Sequence, residues 1–247
     1  MTPGYGFGYG FGLRTPQQLV SGWTPSDLPD KIAWWRSDLG VFTDPDGIWK
    51  WEDQSGNGYN LLQSTGSLKP DLLTDEMDGH DAVQCDGLDD QLVAAMSHAT
   101  SPHYVYIVMK DTHSNNNERF MLCDGTTGNF ILSRRIQKYY SLYDGVEWET
   151  RGVRGISPSD TPTIVEWQQN AASAFKVYVD NVEYALNGAG DGTVIDSSLD
   201  NDFQFPGGGG LQLVSKVFEI LLTSSMSAEN RTLLYSYADG RYPTIGL

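Results

Sequence analysis

Basic residues are scarce in this chain. Sixteen Lys and Arg stand against 32 Asp and Glu, giving a formal charge of −16. Such a chain offers phosphates little of the positive surface that nucleic-acid binding needs, and an anionic membrane repels it. Cysteine is nearly absent. Cys85 and Cys123 are the only two, without metal spacing and too few for a disulfide framework, so both are expected as reduced, packed thiols. No run approaches the ~18 apolar residues of a membrane helix. No basic patch precedes an apolar core near residue 1, so synthesis without a secretory signal, inside the producing cell, is expected.

Catalytic signatures are lacking too. His80, His98, His103 and His113 show no zinc-helix spacing. The four glycines at 207–210 follow Pro206 and precede an expected strand, which makes a loop and not a phosphate cradle. No Gly-x-Ser-x-Gly elbow occurs. The nearest approach to a carboxylate pair is Glu147-Trp148-Glu149. Residues two apart on a strand share a face at about 6–7 Å, a spacing that does not exclude glycosidase geometry. No third acid follows, and a solvated sheet face is the plainer reading. The expectation is a protein that is not an enzyme.

What the chain has is glycine (27 residues) and aromatics (12%) within a 39% hydrophobic composition, the mixture of a β-rich globular body with many turns. It opens on Gly4 to Gly12, where Tyr-Gly-Phe-Gly runs twice. Extended, this segment puts Tyr5, Phe7, Tyr9 and Phe11 on one face and glycine on the other. It is too short to bury those rings on itself. Residues 1–12 are therefore read as an arm that docks on something larger, against the alternative of a disordered glycine-rich tail. Residues 13–30 carry Pro16, Pro25 and Pro29 and form an extended connector.

From 31 to 247 short apolar runs alternate with Gly, Asp, Asn and Pro, the pattern of one sandwich or barrel. Strands are expected at 31–37, 47–54, 80–87, 90–96, 103–110, 118–125, 129–135, 138–145, 146–153, 161–169, 174–186 and 211–223, the last with a break near Ser215. In 47–54, alternation puts Ile48 and Lys50 on one side and Trp49 and Trp51 on the other. The nearly all-apolar 103–110 reads as a central strand buried on both faces, and Asp180-Asn181 as a hairpin turn. One helix follows, with Ser227 as N-cap and Glu229 in its first turn. Leu233, Leu234, Tyr237 and Ala238 share its face, and Gly240 supplies a left-handed cap.

Three stretches then form a pattern. They are "IAWWRSDLGV … WKWEDQSGNGYNLLQ", "DAVQCDGLDDQLVA" and "FEILLTSSMSAENRTLLYSYADGRY". Together they resemble the concanavalin A-like lectin/glucanase superfamily in its laminin-G-like branch. The matching positions are Trp35 and Asp38; Trp51, Asp53, Ser55, Gly56 and Gly58; Asp86, Gly87, Asp89 and Asp90; and Ser227, Glu229, Arg231 and Tyr237. The resemblance implies an all-β, two-sheet antiparallel jelly roll over 31–247 with one short C-terminal helix. The superfamily's catalytic Glu-x-Asp-x-x-Glu strand is missing.

The aspartates carry two readings. They cap the backbone of tight turns, or Asp53, Asp86, Asp89 and Asp90 supply hard oxygens to calcium, a ligand the resemblance makes a candidate. Otherwise no cofactor is implied. For a sugar, loop aromatics that could form a platform are Tyr59, Tyr143 and Trp148, although each equally suits sandwich packing. A sticky arm, a connector and a lectin-like body resemble a phage virion component: a head decoration, fibre or tail part, oligomeric in the particle, docked by its arm and facing host glycans. The rivals are a free carbohydrate-binding lectin and a glycoside hydrolase using Glu147 and Glu149.

Overall fold

In the computed structural model the described residues gather into two antiparallel sheets and one α-helix. The structure describes residues 22–96, 104–111, 119–124, 131–135, 139–143, 148–150, 162–169, 175–184, 202–207 and 214–247. The arm residues Tyr5, Phe7, Tyr9 and Phe11 lie outside them.

The first sheet runs, in spatial order, β15 (Val182–Tyr184), β14 (Phe175–Val179), β13 (Pro162–Gln169), β8 (Tyr104–Asp111), β17 (Val214–Thr223), β6 (His80–Asp86) and β5 (Asp71–Met77). β1 (Lys31–Arg36) joins the C-terminal half of β17, beyond β6. The second sheet runs β12 (Trp148–Thr150), β11 (Tyr139–Tyr143), β10 (Ile131–Arg135), β9 (Arg119–Asp124), β16 (Phe203–Phe205), β7 (Leu92–Ala94), β4 (Leu61–Leu62), β3 (Gly47–Trp51) and β2 (Val41–Asp44). The expected all-β antiparallel sandwich is the observed architecture.

Side chains from both sheets meet in one core, with Trp35, Trp51, Ile107, Phe203, Phe205 and Ile220 fully buried. A second apolar layer covers the other face of the first sheet. There α1 (Ala228–Arg241) lays Leu234, Tyr235 and Ala238 on Tyr106, Val108, Ile164, Phe218 and Leu221. This explains why β8 reads as continuously apolar: it is buried on both faces. The end of the connector belongs to this layer. Leu28 is buried in it, and Trp23 meets Tyr237 edge-to-face with ring centroids 6.4 Å apart.

Two bulges reset the alternation of faces, and both correct the sequence reading. Thr43 pairs with Ile48 and Phe42 with Lys50, which leaves Trp49 as an extra residue in β3. Ile48 and Trp51 therefore both enter the core while Trp49 turns outward. In β17, Val217 pairs with Met109 and Glu219 with Val108, leaving Phe218 extra. Unbroken alternation would drive Glu219 into the apolar core between the sheets. The bulge turns both Phe218 and Glu219 toward the helix instead. β17 also runs without a break through Ser215.

The helix departs from its expected end. Ser227 accepts a hydrogen bond from Asn230 N (3.0 Å) as N-cap, and Glu229 sits in the first turn. Gly240 remains inside the helix, which closes at Tyr242 with its N–H on Ala238 O. Tyr235, more than Leu233, fills the buried face. The Asp180-Asn181 hairpin forms, both residues at positive φ. Strands β2, β4, β5 and β16 are additions that the sequence reading did not contain.

Gly47 marks a close approach. Its φ is +127°, and a Cβ there would sit 2.7 Å from Pro70 O, whereas Gly56 (φ +90°) has open space. Gly47→Ala is expected to cost about 3 kcal/mol and Gly56→Ala about 1 kcal/mol in denaturant unfolding. Equal costs would show that Pro70 does not wedge the β2–β3 turn.

Candidate functional site

The motif residues come first, because they turn out to hold the fold. β1 pairs with β17 on one edge, and its other edge needs partners. The loop after β3 supplies them. Gln54 N donates to Trp34 O (2.6 Å) and Asn57 Nδ2 to Ile32 O (2.9 Å), while Asp53 Oδ1 accepts from Trp34 N (2.9 Å) and Ser55 N (2.8 Å). Asp53 Oδ2 accepts from Tyr59 N (3.0 Å) and Ser55 Oγ (2.7 Å). Gly56 and Gly58 take the positive φ this tight path needs. Trp51 Nε1 donates to Arg36 O (2.7 Å), and Trp35 stacks on Phe203 at 5.3 Å. Tyr59 packs half-buried against the same core.

Three further motif residues, Asp38, Arg231 and Tyr237, help two buried carboxylates clamp the helix. Glu219 is 0% exposed. It accepts from Trp34 Nε1 (2.6 Å), Tyr242 OH (2.8 Å) and Tyr237 OH (3.2 Å), with Arg241 Nε 3.8 Å away. Burial pushes its pKa up against these donors. Arg241 Nη2 also reaches Asp38 Oδ2 (2.5 Å). Burial alone would raise the Asp38 pKa, but hydrogen bonds and charge from Arg36 and Arg241 bring it down to about 2. The second clamp is Glu166, 1% exposed, which accepts from Arg231 Nε (2.9 Å) and Tyr235 OH (3.0 Å).

The Asp86–Asp90 turn is a self-capping unit. Asp86 Oδ1 accepts from Leu88 N (2.7 Å), Asp90 Oδ2 from Asp86 N (2.8 Å), and Gly87 has φ +77°. Asp89 is exposed. Among the described residues, no three His, Cys, Asp or Glu side chains form a metal-ligand group. Asp53 spends its oxygens on amides and a hydroxyl, the geometry of a turn cap.

The solvent side of the second sheet has a different character. Phe42, Trp49 and Leu62 lie on three adjacent strands and are 41%, 40% and 49% exposed. The Phe42 and Trp49 rings lie 5.8 Å apart at 52°. Lys50 Nζ sits 4.9 Å from the Phe42 centroid and 2.6 Å from Glu52 Oε1. Backbone register continues the row: Phe42 opposite Lys50, then Leu62, Val93 and Gln204, and onward through Cys123 and Ile131 to Tyr143 and Trp148. The backbones of Tyr143 and Trp148 thus face each other across β11–β12; their side chains, and Glu147, lie outside the described residues. The sequence reading missed Phe42, Trp49 and Leu62. The bulge hid Trp49, although the Asp44-Pro45-Asp46-Gly47 turn beside it was a visible signal of irregular pairing.

No family model matches the sequence, and no curated protein does. Solved structures share the fold. A Trypanosoma rangeli sialidase in complex with sialic acid aligns with TM-score 0.61 and 12% identity over 86% of this chain and 33% of that one. The binding domain of paraclostridial mosquitocidal protein 1 aligns at 0.59 and 10% over 87% and 53%. A structure of botulinum neurotoxin type C, whose cell entry depends on interaction with two ganglioside molecules, aligns at 0.58 and 11% over 84% and 51%. The chain spans about a third to a half of the length of these structures. The likeness is one of fold, a lectin-like β-sandwich.

Asp90 gives a pH test. Burial, opposed by the Asp86 amide and reinforced by the charges of Asp86, Asp71 and Asp89, pushes its pKa from 3.8 up to about 6. A raised folded-state pKa contributes stability below pH 4 that is lost as pH rises through 6. Asp90→Asn stays neutral and keeps an acceptor for Asp86 N. It is expected to match the wild type at pH 4 and exceed it by about 2 kcal/mol at pH 7.5. A constant difference between the two pH values in urea titrations would refute the assignment.

Proposed function

We propose that this chain is a non-enzymatic, laminin-G-like binding domain displayed on a phage particle as a head decoration, fibre or tail component. Residues 1–12 dock it among other virion proteins, and the sandwich contacts host glycans. The binding part rests on one observation: the helix covers the central strands of the first sheet, while the second sheet leaves Phe42, Trp49 and Leu62 open to solvent. Fold neighbours that include a sialic-acid complex and toxin binding domains support the same reading. The non-enzymatic part is supported by the buried carboxylates Glu166 and Glu219, both committed to holding the helix. The display part rests on the Tyr-Gly-Phe-Gly repeat, whose rings need a partner surface to bury against. Calcium at the aspartate turns remains outside the proposal.

Deleting residues 1–12 is expected to leave a folded protein, with unchanged thermal unfolding, that no longer incorporates into particles. Normal incorporation of the truncated chain would overturn the display reading.

A further inference from the structure

We propose that the outer face of β2–β4 is a binding site for an uncharged pyranose ring, seated on Trp49 and Phe42 with Leu62 as its floor. The site rests on the glycan reading above and locates it. Three observations converge.

The first is how Trp49 reaches the surface. The β3 bulge lets Trp49 and Lys50 both face solvent while Ile48 and Trp51 stay in the core; counted back from Trp51, regular pairing would turn Trp49 inward. Bulges re-aim single side chains in this way beside binding sites. The bulge is pinned on both sides, by Gln63 N on Trp49 O (2.9 Å) and by Ile48 N on Pro70 O (2.8 Å). The exposed indole is therefore held by backbone contacts.

The second is size. Three side chains exposed by two-fifths to one-half present on the order of 300 Å² of apolar surface. That is far below the about 800 Å² per partner of a standard protein interface, so a second copy of the chain gains little there. One or two sugar rings fit, and their C–H faces stack on aromatic faces.

The third is charge. Lys50 is paired with Glu52 (2.6 Å) and Lys69 with Asp44 (2.5 Å), so the patch's cations are neutralised within it. The chain as a whole carries −16. An anionic glycan meets repulsion without a free cation among the described residues of the patch, whereas the Lys50–Glu52 pair offers hydroxyls a donor and an acceptor side by side.

The test uses the full chain, titrated by saturation-transfer NMR with lactose, maltotriose, mannotriose and chitotriose, and with sialyllactose as the anionic probe. At least one neutral saccharide is expected to bind. Trp49→Ala is expected to weaken it about tenfold or more and Phe42→Ala severalfold, both with unchanged melting temperature. Leu88→Ala, exposed on the Asp86–Asp90 turn, serves as the control and leaves binding intact. Binding that survives Trp49→Ala and Phe42→Ala, or binding of sialyllactose alone, overturns this site while leaving a glycan-binding role standing. No binding of any of the five saccharides sinks both.

Discussion

Glu219 sits at zero exposure on the central strand, between the sandwich and the helix, and the layer on that side is organised around it. Its two oxygens take hydrogens from an indole on β1 and phenols on and beyond α1, and Arg241 carries the contact onward to Asp38. A buried carboxylate left without such donors would cost several kcal/mol. Satisfied, it fixes how the helix sits rather than adding much net stability. The contact exists because β17 carries an extra residue at Phe218, which turns the acid out of the apolar core. The same contact carries the helix past Gly240, since Arg241 and Tyr242 must extend far enough to reach their partners.

The consequence is an asymmetric sandwich. The central strands of one sheet are covered on both faces, and the β2–β4 part of the other is open on its solvent side. Several residues that carry the laminin-G-like resemblance lie with the first sheet: Asp38, Arg231 and Tyr237 clamp the helix, and Asp53, Ser55 and the nearby glycines dress the free edge of β1. A motif that builds a scaffold does not mark a ligand. On the proposed binding role, specificity has to be sought on the open face, among residues outside the motif.

Much of the fold was legible. The apolar run of β8 declared a doubly buried strand, Ser227 declared a helix start, and Asp180-Asn181 declared a hairpin. The tight turns at Asp53 and Asp86 followed from Asp and Gly chemistry. The bulges were not legible. One extra residue inverts which side chains face inward without changing composition, so Trp49 read as sharing a face with Trp51, and Glu219 drew no attention. β5 escaped because an exposed edge strand with three acids shows no alternation, and β16 because three residues are too few for a period. The clamps escaped for another reason: Trp34 and Glu219 lie 185 residues apart, and a buried acid looks like a surface acid until its donors arrive.

The claim that the helix is held over the first sheet by a carboxylate clamp is most directly tested by amide hydrogen exchange on Glu219→Ala. Amides of Ala228–Arg241 are expected to lose protection by at least about tenfold (about 1.4 kcal/mol) relative to those of Gly47–Trp51, because the helix then opens as its own unit. Equal changes in the two segments, or helix protection left as in the wild type, would contradict it.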